Sequence, residues 1–228
     1  DTKKVDQVDD YFGTEVEDPY RWLEDDNAED VKAWVQAQNE VTFNYLEQIP
    51  YRDDIKNRLM ELYNYPKYSS PFKAGEYYFF YKNDGLQNQS VIYIQKGLEG
   101  EPEVFIDPNQ LSPDGTIRIN IAGVSNDDKY VTVMRSEAGS DWREIRVMEI
   151  ATKKELDDRI QWVKFSGTSW YKNGFFYNRY QEPPEDDKLK AQNRDMKVYY
   201  HKLGEPQDKD TLIYEDPENP NWGFGVQV

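Results

Sequence analysis

Six residues, Val91-Ile92-Tyr93-Ile94-Gln95-Lys96, have the composition of a β-strand, and strands of the same kind return twice later in the chain. The later copies are Ile145-Arg146-Val147-Met148-Glu149-Ile150 and Val198-Tyr199-Tyr200-His201-Lys202-Leu203. The copies follow one another at roughly 53 residues, and a regular interval of this size marks a repeat architecture. Each repeat is predicted to contain an aromatic strand, then the six-residue strand as its second strand, then a polar hairpin and a third strand.

Units of this kind bury their faces only against neighbouring units, and a propeller loses its free edges only when its ring closes. Three units do not close a ring, and the sequence stops as a fourth copy begins. We therefore predict a mainly β chain that forms about three blades of a partial propeller and is a piece of something larger. The other predicted strands are Glu76–Tyr81, Val104–Ile106, Tyr130–Arg135, Phe175–Tyr180 and Leu212–Tyr214.

The first part of the chain has a helical period instead. Apolar residues at three- and four-residue steps predict a helix from about Ala28 to about Gln48, which Pro50 ends, and a second helix from about Arg52 to Tyr63. The change of period predicts two units, residues 1–64 and residues 65–228. Three residues are candidate N-caps of the first helix: Asp25, Asp26 and Asn27.

Composition restricts the partners of this chain of 228 residues. Its formal net charge is -16, and phosphate binding needs a basic face, so the charge argues against a nucleic-acid partner. We interpret the acidity as a solvated surface, with a field that steers a substrate as the alternative. The absence of cysteine excludes disulfides and thiolate metal sites. No stretch has the length and apolarity of a membrane helix, so no membrane association is expected.

Nucleophilic catalysis by a serine needs a histidine within hydrogen-bond reach, usually with the serine on a Gly-x-Ser-x-Gly turn. The chain has one histidine, His201, and no such turn. Ser140 and Ser166 lie beside glycines, but neither has the spacing of that turn. His201 lies in a predicted strand among tyrosines, and we interpret it as a packed or surface histidine rather than a catalytic one.

Paired carboxylates raise the alternative of a glycosidase, which uses one acid and one base across the scissile bond. Neighbouring acids at caps and turns are usually solvated, which argues against this use. No segment has the alternating oxygen ligands of a calcium loop. The stretch from Gln181 to Arg194 is charged and Pro-rich and predicts a long exposed loop. The acid pairs are Asp25 and Asp26, Asp53 and Asp54, Asp157 and Asp158, and Asp186 and Asp187.

Five blocks of sequence, each weak alone, follow one another over most of the chain: Asp18-Pro19-Tyr20-Arg21-Trp22-Leu23-Glu24-Asp25, Asn83-Asp84-Gly85-Leu86-Gln87-Asn88-Gln89, Gly139-Ser140-Asp141-Trp142, Val163-Lys164-Phe165-Ser166 and Tyr199-Tyr200-His201-Lys202-Leu203-Gly204. In this order and together, the blocks resemble the prolyl oligopeptidase (prolyl endopeptidase) family. The first block is more similar to bacterial members than to mammalian ones.

The resemblance implies an α/β-hydrolase peptidase domain capped by a seven-bladed propeller. Residues 1–64 would be helices that pack on that domain, and residues 65–228 the first three blades and the start of a fourth. It also implies a serine endopeptidase that cleaves short peptides after proline, while the propeller filters access. The family's serine, aspartate and histidine lie in the C-terminal region, so we expect no catalytic residue in this chain and no activity from it alone. No cofactor and no metal are implied.

The resemblance also implies two substrate-binding residues. Phe165 matches an aromatic residue that lines the apolar pocket for the peptide residues preceding proline; the alternative is an aromatic residue packed between blades. Asp141 matches an acid near a substrate-binding arginine of the hydrolase domain; the alternative is a turn aspartate that caps backbone amides. The segment around Phe224 departs from the family, because Gly223 stands where animal enzymes carry a larger apolar pocket residue.

The expected partners are short proline-containing peptides and the C-terminal hydrolase domain of the same protein. We expect a monomer when the protein is intact, and a periplasmic or secreted location with the cytoplasm as the alternative. A non-enzymatic propeller that binds a peptide or protein is the competing interpretation, although a free-standing propeller has no need of N-terminal helices.

Overall fold

The computed structural model describes residues 1–112, 114–184 and 191–228. The chain divides into two compact units, Asp1–Tyr63 and Asn64–Val228. The assignment of residues 1–64 and 65–228 to parts of a peptidase stays a prediction. No helix among the described residues is long and apolar enough to cross a membrane.

The first unit contains a hairpin and two helices. Strands β1 (Val8–Tyr11) and β2 (Thr14–Glu17) pair antiparallel and were not expected from the sequence. Helices α1 (Glu29–Glu47) and α2 (Arg52–Tyr63) confirm the two predicted helices. A 3-10 turn at Arg21–Glu24 precedes α1.

The predicted caps of α1 were wrong. The N-cap is Ala28, whose side chain has no oxygen to accept the orphan amides, and no side chain caps this end. Asp25 and Asn27 instead bond to each other, because the Asn27 backbone amide donates to Asp25 Oδ1 at 3.2 Å. Asp26 accepts from the Asn27 side-chain amide. These residues therefore form a local turn one step too early to cap the helix.

The described residues of the second unit form three antiparallel sheets. The first holds β3 (Lys67–Tyr68), β4 (Phe72–Ala74), β5 (Tyr77–Asn83), β6 (Val91–Lys96) and β7 (Glu103–Ile106). The second holds β8 (Arg118–Val124), β9 (Tyr130–Ser136), β10 (Arg143–Glu149) and β11 (Glu155–Val163). The third holds β12 (Ser169–Tyr171), β13 (Gly174–Arg179), β14 (Lys197–Lys202) and β15 (Thr211–Tyr214).

The predicted repeat is present as equivalent strands. The sheets run in the orders β3-β5-β6-β7, β8-β9-β10-β11 and β12-β13-β14-β15, so β6, β10 and β14 hold the same third place. The sequence suggested three strands in a repeat, whereas each of these paths has four. The strands of this unit that were missed are β3, β4, β8, β11 and β12.

Apolar side chains between the sheets form two cores. Phe79 and Ile92 of the first sheet pack in one cluster with Val131 and Val133 of the second. Ile145 of the second sheet packs in another cluster with residues of the third sheet, Phe175 and Tyr177 among them. The second sheet is therefore buried on both faces, because alternate side chains of a strand point to opposite sides.

Two segments stay outside this regular structure. After Tyr214 the described residues contain no further helix or strand, and the start of a fourth repeat stays a prediction. Of the predicted loop from Gln181 to Arg194, the flanks 181–184 and 191–194 have no helix or strand. Residues 185–190 lie outside the described residues, and the acid pair Asp186 and Asp187 lies among them.

Candidate functional site

Asp141 lies at a cavity lined by the second sheet, by a loop of the first sheet and by the connection to the third sheet. We name it the Asp141 cavity; its volume is about 510 Å³. Gln89 comes from the β5–β6 loop, and Ser166 comes from the connection between β11 and β12. The second sheet contributes Arg118 and Asn120 on β8 and Arg143 at the start of β10.

The loop between β9 and β10 presents Asp141. Ala138 and Gly139 both have positive φ, and the Ser140 amide donates to the Glu137 carbonyl at 2.9 Å, which closes a tight turn. Ser140 Oγ accepts the Trp142 amide at 3.1 Å. Asp141 itself is exposed and, within the described ranges, accepts no hydrogen bond, so the amide-capping alternative is not what the structure shows. Its role beside a substrate-binding arginine stays a prediction.

Phe165 lies in the connection that leaves β11, next to the cavity wall at Ser166. Its side chain is 59% exposed and belongs to neither core cluster, so it is not packed between the sheets. Its φ of 51° is left-handed, a conformation that costs free energy for a residue with a side chain. Ser166 Oγ holds the neighbouring backbone by accepting the Asn178 amide at 2.9 Å. The role of the Phe165 ring in a substrate pocket stays a prediction.

An aromatic cluster joins these two loops. The Trp142 ring meets Trp162 edge-on at 5.5 Å and Tyr180 edge-on at 6.5 Å. Lys164 Nζ lies 4.0 Å from the Trp142 ring centre and donates to Asn193 Oδ1 at 3.1 Å. Lys164 is only 8% exposed, and a cation over an indole face is strongest where water is excluded. Trp142 follows Asp141, and Lys164 precedes Phe165. The contact between Lys164 and the Trp142 ring therefore fixes the positions of Asp141 and Phe165 relative to each other.

Two arginines of the cavity were missed by the sequence reasoning. Arg118 and Arg143 both line the cavity, and neither makes an ion pair with any described carboxylate. On the adjoining surface of the same sheet, by contrast, Glu144 bonds Arg146 and Arg159. No motif marks Arg118, because the strand β8 that carries it was itself not recognised.

His201 is fully buried between two carboxylates. Its Nδ1 lies 2.7 Å from Asp210 Oδ1, and its Nε2 lies 2.9 Å from Asp158 Oδ1. The Tyr177 hydroxyl donates to Asp210 Oδ2 at 2.6 Å, and the Gly204 amide donates to Asp158 Oδ1 at 2.7 Å. Since Asp158 is on β11 and His201 on β14, the network joins the second and third sheets. We name it the His201 network.

The charges of this network stabilise one another. Burial opposes the imidazolium, but the hydrogen bonds and charges of Asp158 and Asp210 outweigh it and raise the pKa of His201 to about 9. Burial also opposes the charged form of Asp158, yet hydrogen bonds from His201 and the Gly204 amide hold its pKa below the ordinary value. Both ring nitrogens are occupied, so His201 is a packed histidine and cannot serve as a general base here.

The acid pairs within the described residues do not form a glycosidase site. Asp25 and Asp26, and Asp53 and Asp54, are exposed on the first unit, and Asp158 is held by His201. Asp141 is the single described carboxylate at its cavity, whereas glycosidases need two across the substrate. Across the described ranges, no group of three or more His, Asp or Glu side chains could hold a metal ion.

Known proteins resemble the chain over its whole length. Residues 1–228 match the family described as prolyl oligopeptidase, N-terminal beta-propeller domain. The chain is 48% identical over 229 residues to the prolyl endopeptidase of Elizabethkingia meningoseptica, covering 100% of this chain and 32% of that protein. It is 33% identical over 282 residues to the prolyl endopeptidase of Dictyostelium discoideum, covering 100% and 37%.

Solved structures of prolyl oligopeptidases are also similar to the chain. A structure from a study of two prolyl endopeptidases and their inter-domain dynamics matches with a TM-score of 0.85 and 28% identity, covering 95% of this chain and 32% of that one. Prolyl oligopeptidase B from Galerina marginata, bound to a 35mer hydrolysis and macrocyclization substrate, matches with a TM-score of 0.83 and 30% identity, covering 100% and 35%. The chain thus spans about a third of the length of its relatives. It belongs to the prolyl oligopeptidase family, of serine peptidases, and corresponds to the family's N-terminal propeller domain.

Proposed function

We propose that this chain is the N-terminal part of a serine endopeptidase that cleaves short peptides after proline, and that its propeller filters the substrates. The observation that carries the proposal is the 48% identity to a prolyl endopeptidase over the whole chain, which is only 32% of that enzyme. The remaining two thirds of such an enzyme is where we place the catalytic serine, aspartate and histidine.

The residues of the chain support the placement of the catalytic residues outside it. Acyl transfer needs a serine whose proton passes to a histidine, an aspartate that orients the imidazole, and donors for the oxyanion. The one histidine, His201, is buried and bonded at both ring nitrogens. The proposed contribution of this chain is therefore to admit and position peptides. Asp141 would orient a substrate-binding arginine of the peptidase domain, and Phe165 would line the pocket for residues that precede proline.

The helices of the first unit support a larger protein around this chain. Both helices leave large apolar side chains exposed. Burying such a side chain contributes about 1.5–3 kcal/mol, so an apolar surface of this kind is typical of a contact with another domain. We propose that these helices pack on the peptidase domain, that the intact protein is a monomer, and that it is periplasmic or secreted. The large apolar residues that α1 and α2 leave exposed are Val35, Val41, Phe43, Tyr45, Ile55, Leu59, Met60, Leu62 and Tyr63.

The proposal is tested by comparing the 228-residue chain with the full-length protein on a chromogenic Gly-Pro anilide. We expect the chain to be inactive, and the full-length protein to be active and to lose activity after a serine-directed fluorophosphonate. A Gly-Val anilide serves as the matched control and should be a poor substrate. Activity of the chain alone would refute the placement of the triad, and equal cleavage of both anilides would refute proline specificity.

For Phe165, replacement by alanine in the full-length protein should lower kcat/KM for peptides with several residues before proline by about tenfold. The reason is that a ring buried against substrate contributes on the order of 1.5–3 kcal/mol, and a factor of ten corresponds to about 1.4 kcal/mol. Steady-state kinetics with a dipeptide and a pentapeptide substrate measure the effect, which should be larger for the longer one.

The matched control is Phe12→Ala, because Phe12 is fully exposed in the β1–β2 hairpin. This variant should leave the kinetics of both peptides as they are. If Phe165→Ala lowers the unfolding temperature and leaves kcat/KM unchanged, the ring has a packing role and not a substrate role.

A further inference from the structure

We propose that the Asp141 cavity binds a carboxylate group of the peptide substrate through Arg118 and Arg143. This inference rests on the proposed peptidase function and adds a substrate class to it, namely peptides that carry an acidic side chain or a free C-terminal carboxylate. Both groups offer the same planar pair of oxygens, which a guanidinium recognises with two parallel hydrogen bonds.

The two arginines lie at the same end of the second sheet. Arg118 begins β8 and pairs with Ser136, the last residue of β9. Arg143 begins β10 after the loop that carries Asp141. Since β9 lies between β8 and β10 in the sheet, the two guanidiniums flank the same strand end and both line the cavity.

Neither guanidinium has its charge matched by a carboxylate of the residues that the structure describes. The chain has 44 acidic and 28 basic residues, so carboxylates are plentiful. On neighbouring positions, Arg135 pairs with Glu137 at 2.6 Å, and Arg146 pairs with Glu155 at 2.5 Å. Arg143 instead has only the Met134 sulfur at 4.0 Å, a weak acceptor. The guanidinium of Arg118 donates no hydrogen bond to any described residue. Two unpaired cations in one cavity favour an anionic ligand.

The remaining walls of the cavity fit a short peptide segment. Gln89 is held in place, because its backbone amide donates to Asn109 Oδ1 at 3.0 Å and its side chain donates to the Gly115 carbonyl at 3.1 Å. The amide of Asn120 and the hydroxyl of Ser140 provide further donors and acceptors. Two arginines against the single carboxylate of Asp141 leave one positive charge, and the volume of about 510 Å³ accommodates a residue with its carboxylate.

The negative net charge of the chain means that a carboxylate must be recognised through direct contacts with the arginines. A net charge of -16 repels anions at long range, so the cavity must act through direct contacts. Contacts of that kind persist in moderate salt, whereas attraction to a distant surface charge is screened within about 8–10 Å. We therefore expect the preference for acidic peptides to survive at 0.15 M salt.

The test uses the full-length protein and quenched fluorescent peptides of equal length with one proline. A neutral peptide has asparagine and a C-terminal amide; a second set places aspartate at single positions on either side of proline; a third peptide has the free C-terminal acid. We expect at least one acidic peptide to exceed the neutral one about tenfold in kcat/KM, a size typical of a charge-assisted hydrogen bond. In the double variant R118Q/R143Q this ratio should fall to about one.

The matched control is Arg159→Gln, which removes one positive charge from the same sheet outside the cavity and should keep the ratio. Equal rates for all peptides in the unmodified protein, or a preference that survives in the double variant, would overturn the inference. A lower unfolding temperature with an unchanged ratio would instead indicate that the arginines bind carboxylates of another part of the protein. Failure to cleave any peptide after proline removes the proposed function as well, whereas cleavage of the neutral peptide without preference removes only this inference.

Discussion

His201→Ala in the full-length protein should lower the free energy of unfolding by about 3–5 kcal/mol, the cost of removing one member of a buried charge network. The variant leaves Asp158 and Asp210 facing each other without the imidazolium between them, in a place where His201 itself is fully buried. Denaturant unfolding followed by tryptophan fluorescence measures the change. Hydrogen exchange should rise first in β11 and β14, because the His201 network joins these strands.

The same network predicts a pH dependence with a defined sign. The pKa of His201 is raised from 6.5 to about 9, so its stabilisation is full below pH 6.5 and is lost as the pH rises toward 9. The pKa of Asp158 is lowered from 3.8, so its stabilisation is present above that value and is lost as the pH falls below it. The unfolding free-energy difference between the unmodified protein and His201→Ala should therefore be larger at pH 6 than at pH 9.5.

Asp157→Asn is the control, since Asp157 precedes Asp158 on β11 but is exposed, and its replacement should change stability by less than about 0.5 kcal/mol. If the His201→Ala protein is as stable as the unmodified one at pH 6, the charged form of His201 does not stabilise the fold. The same conclusion follows from a difference in stability between the two proteins that does not vary with pH.

Trp142→Ala should both destabilise the protein, by about 2–4 kcal/mol, and lower kcat/KM at least tenfold. The substitution removes the edge-on contacts with Trp162 and Tyr180 and leaves the buried ammonium of Lys164 without its ring. The loops that carry Asp141 and Phe165 then lose their common support. Trp142 touches no reacting atom, so we regard it as a positioning residue.

Kinetics well below the unfolding temperature separate the two effects of this variant. Trp142→Phe keeps an aromatic face for Lys164 and should restore most of kcat/KM, although indole is the stronger partner for a cation. Trp222→Ala is the matched control, because Trp222 is 59% exposed and lies after β15. If Trp142→Ala keeps its full kcat/KM while losing stability, the ring supports the sheet alone and does not position the site.

The elements that sequence patterns found and missed differ in what they face. Strands β6, β10 and β14 have a strong apolar pattern, because they lie inside their sheets and bury side chains against neighbouring strands and cores. Helix α2 was found from its apolar spacing although none of its residues is buried. Strand β8 was missed although Arg118 and Asn120, which line the cavity, alternate with Ile119 and Ile121 in the period-two pattern of a half-buried strand.

The candidate site was predictable only in part. The resemblance to a family singled out Asp141 and Phe165, and both lie at or beside one cavity. Nothing local to Arg118 or Arg143 distinguishes them from surface arginines. Their importance follows from the lack of a carboxylate partner, which depends on what the neighbouring strands place around them.

Periodicity alone established the two helices and the threefold repeat of strands, because the spacing of apolar side chains is a local property of the backbone geometry. The stacking of the sheets decided which polar groups meet. Asp158 and His201 are 43 residues apart, and no spacing rule joins them. The two enclosing carboxylates then determine the charge of His201, since a buried histidine in a strand stays protonated only when acidic groups from elsewhere in the chain bond to both ring nitrogens.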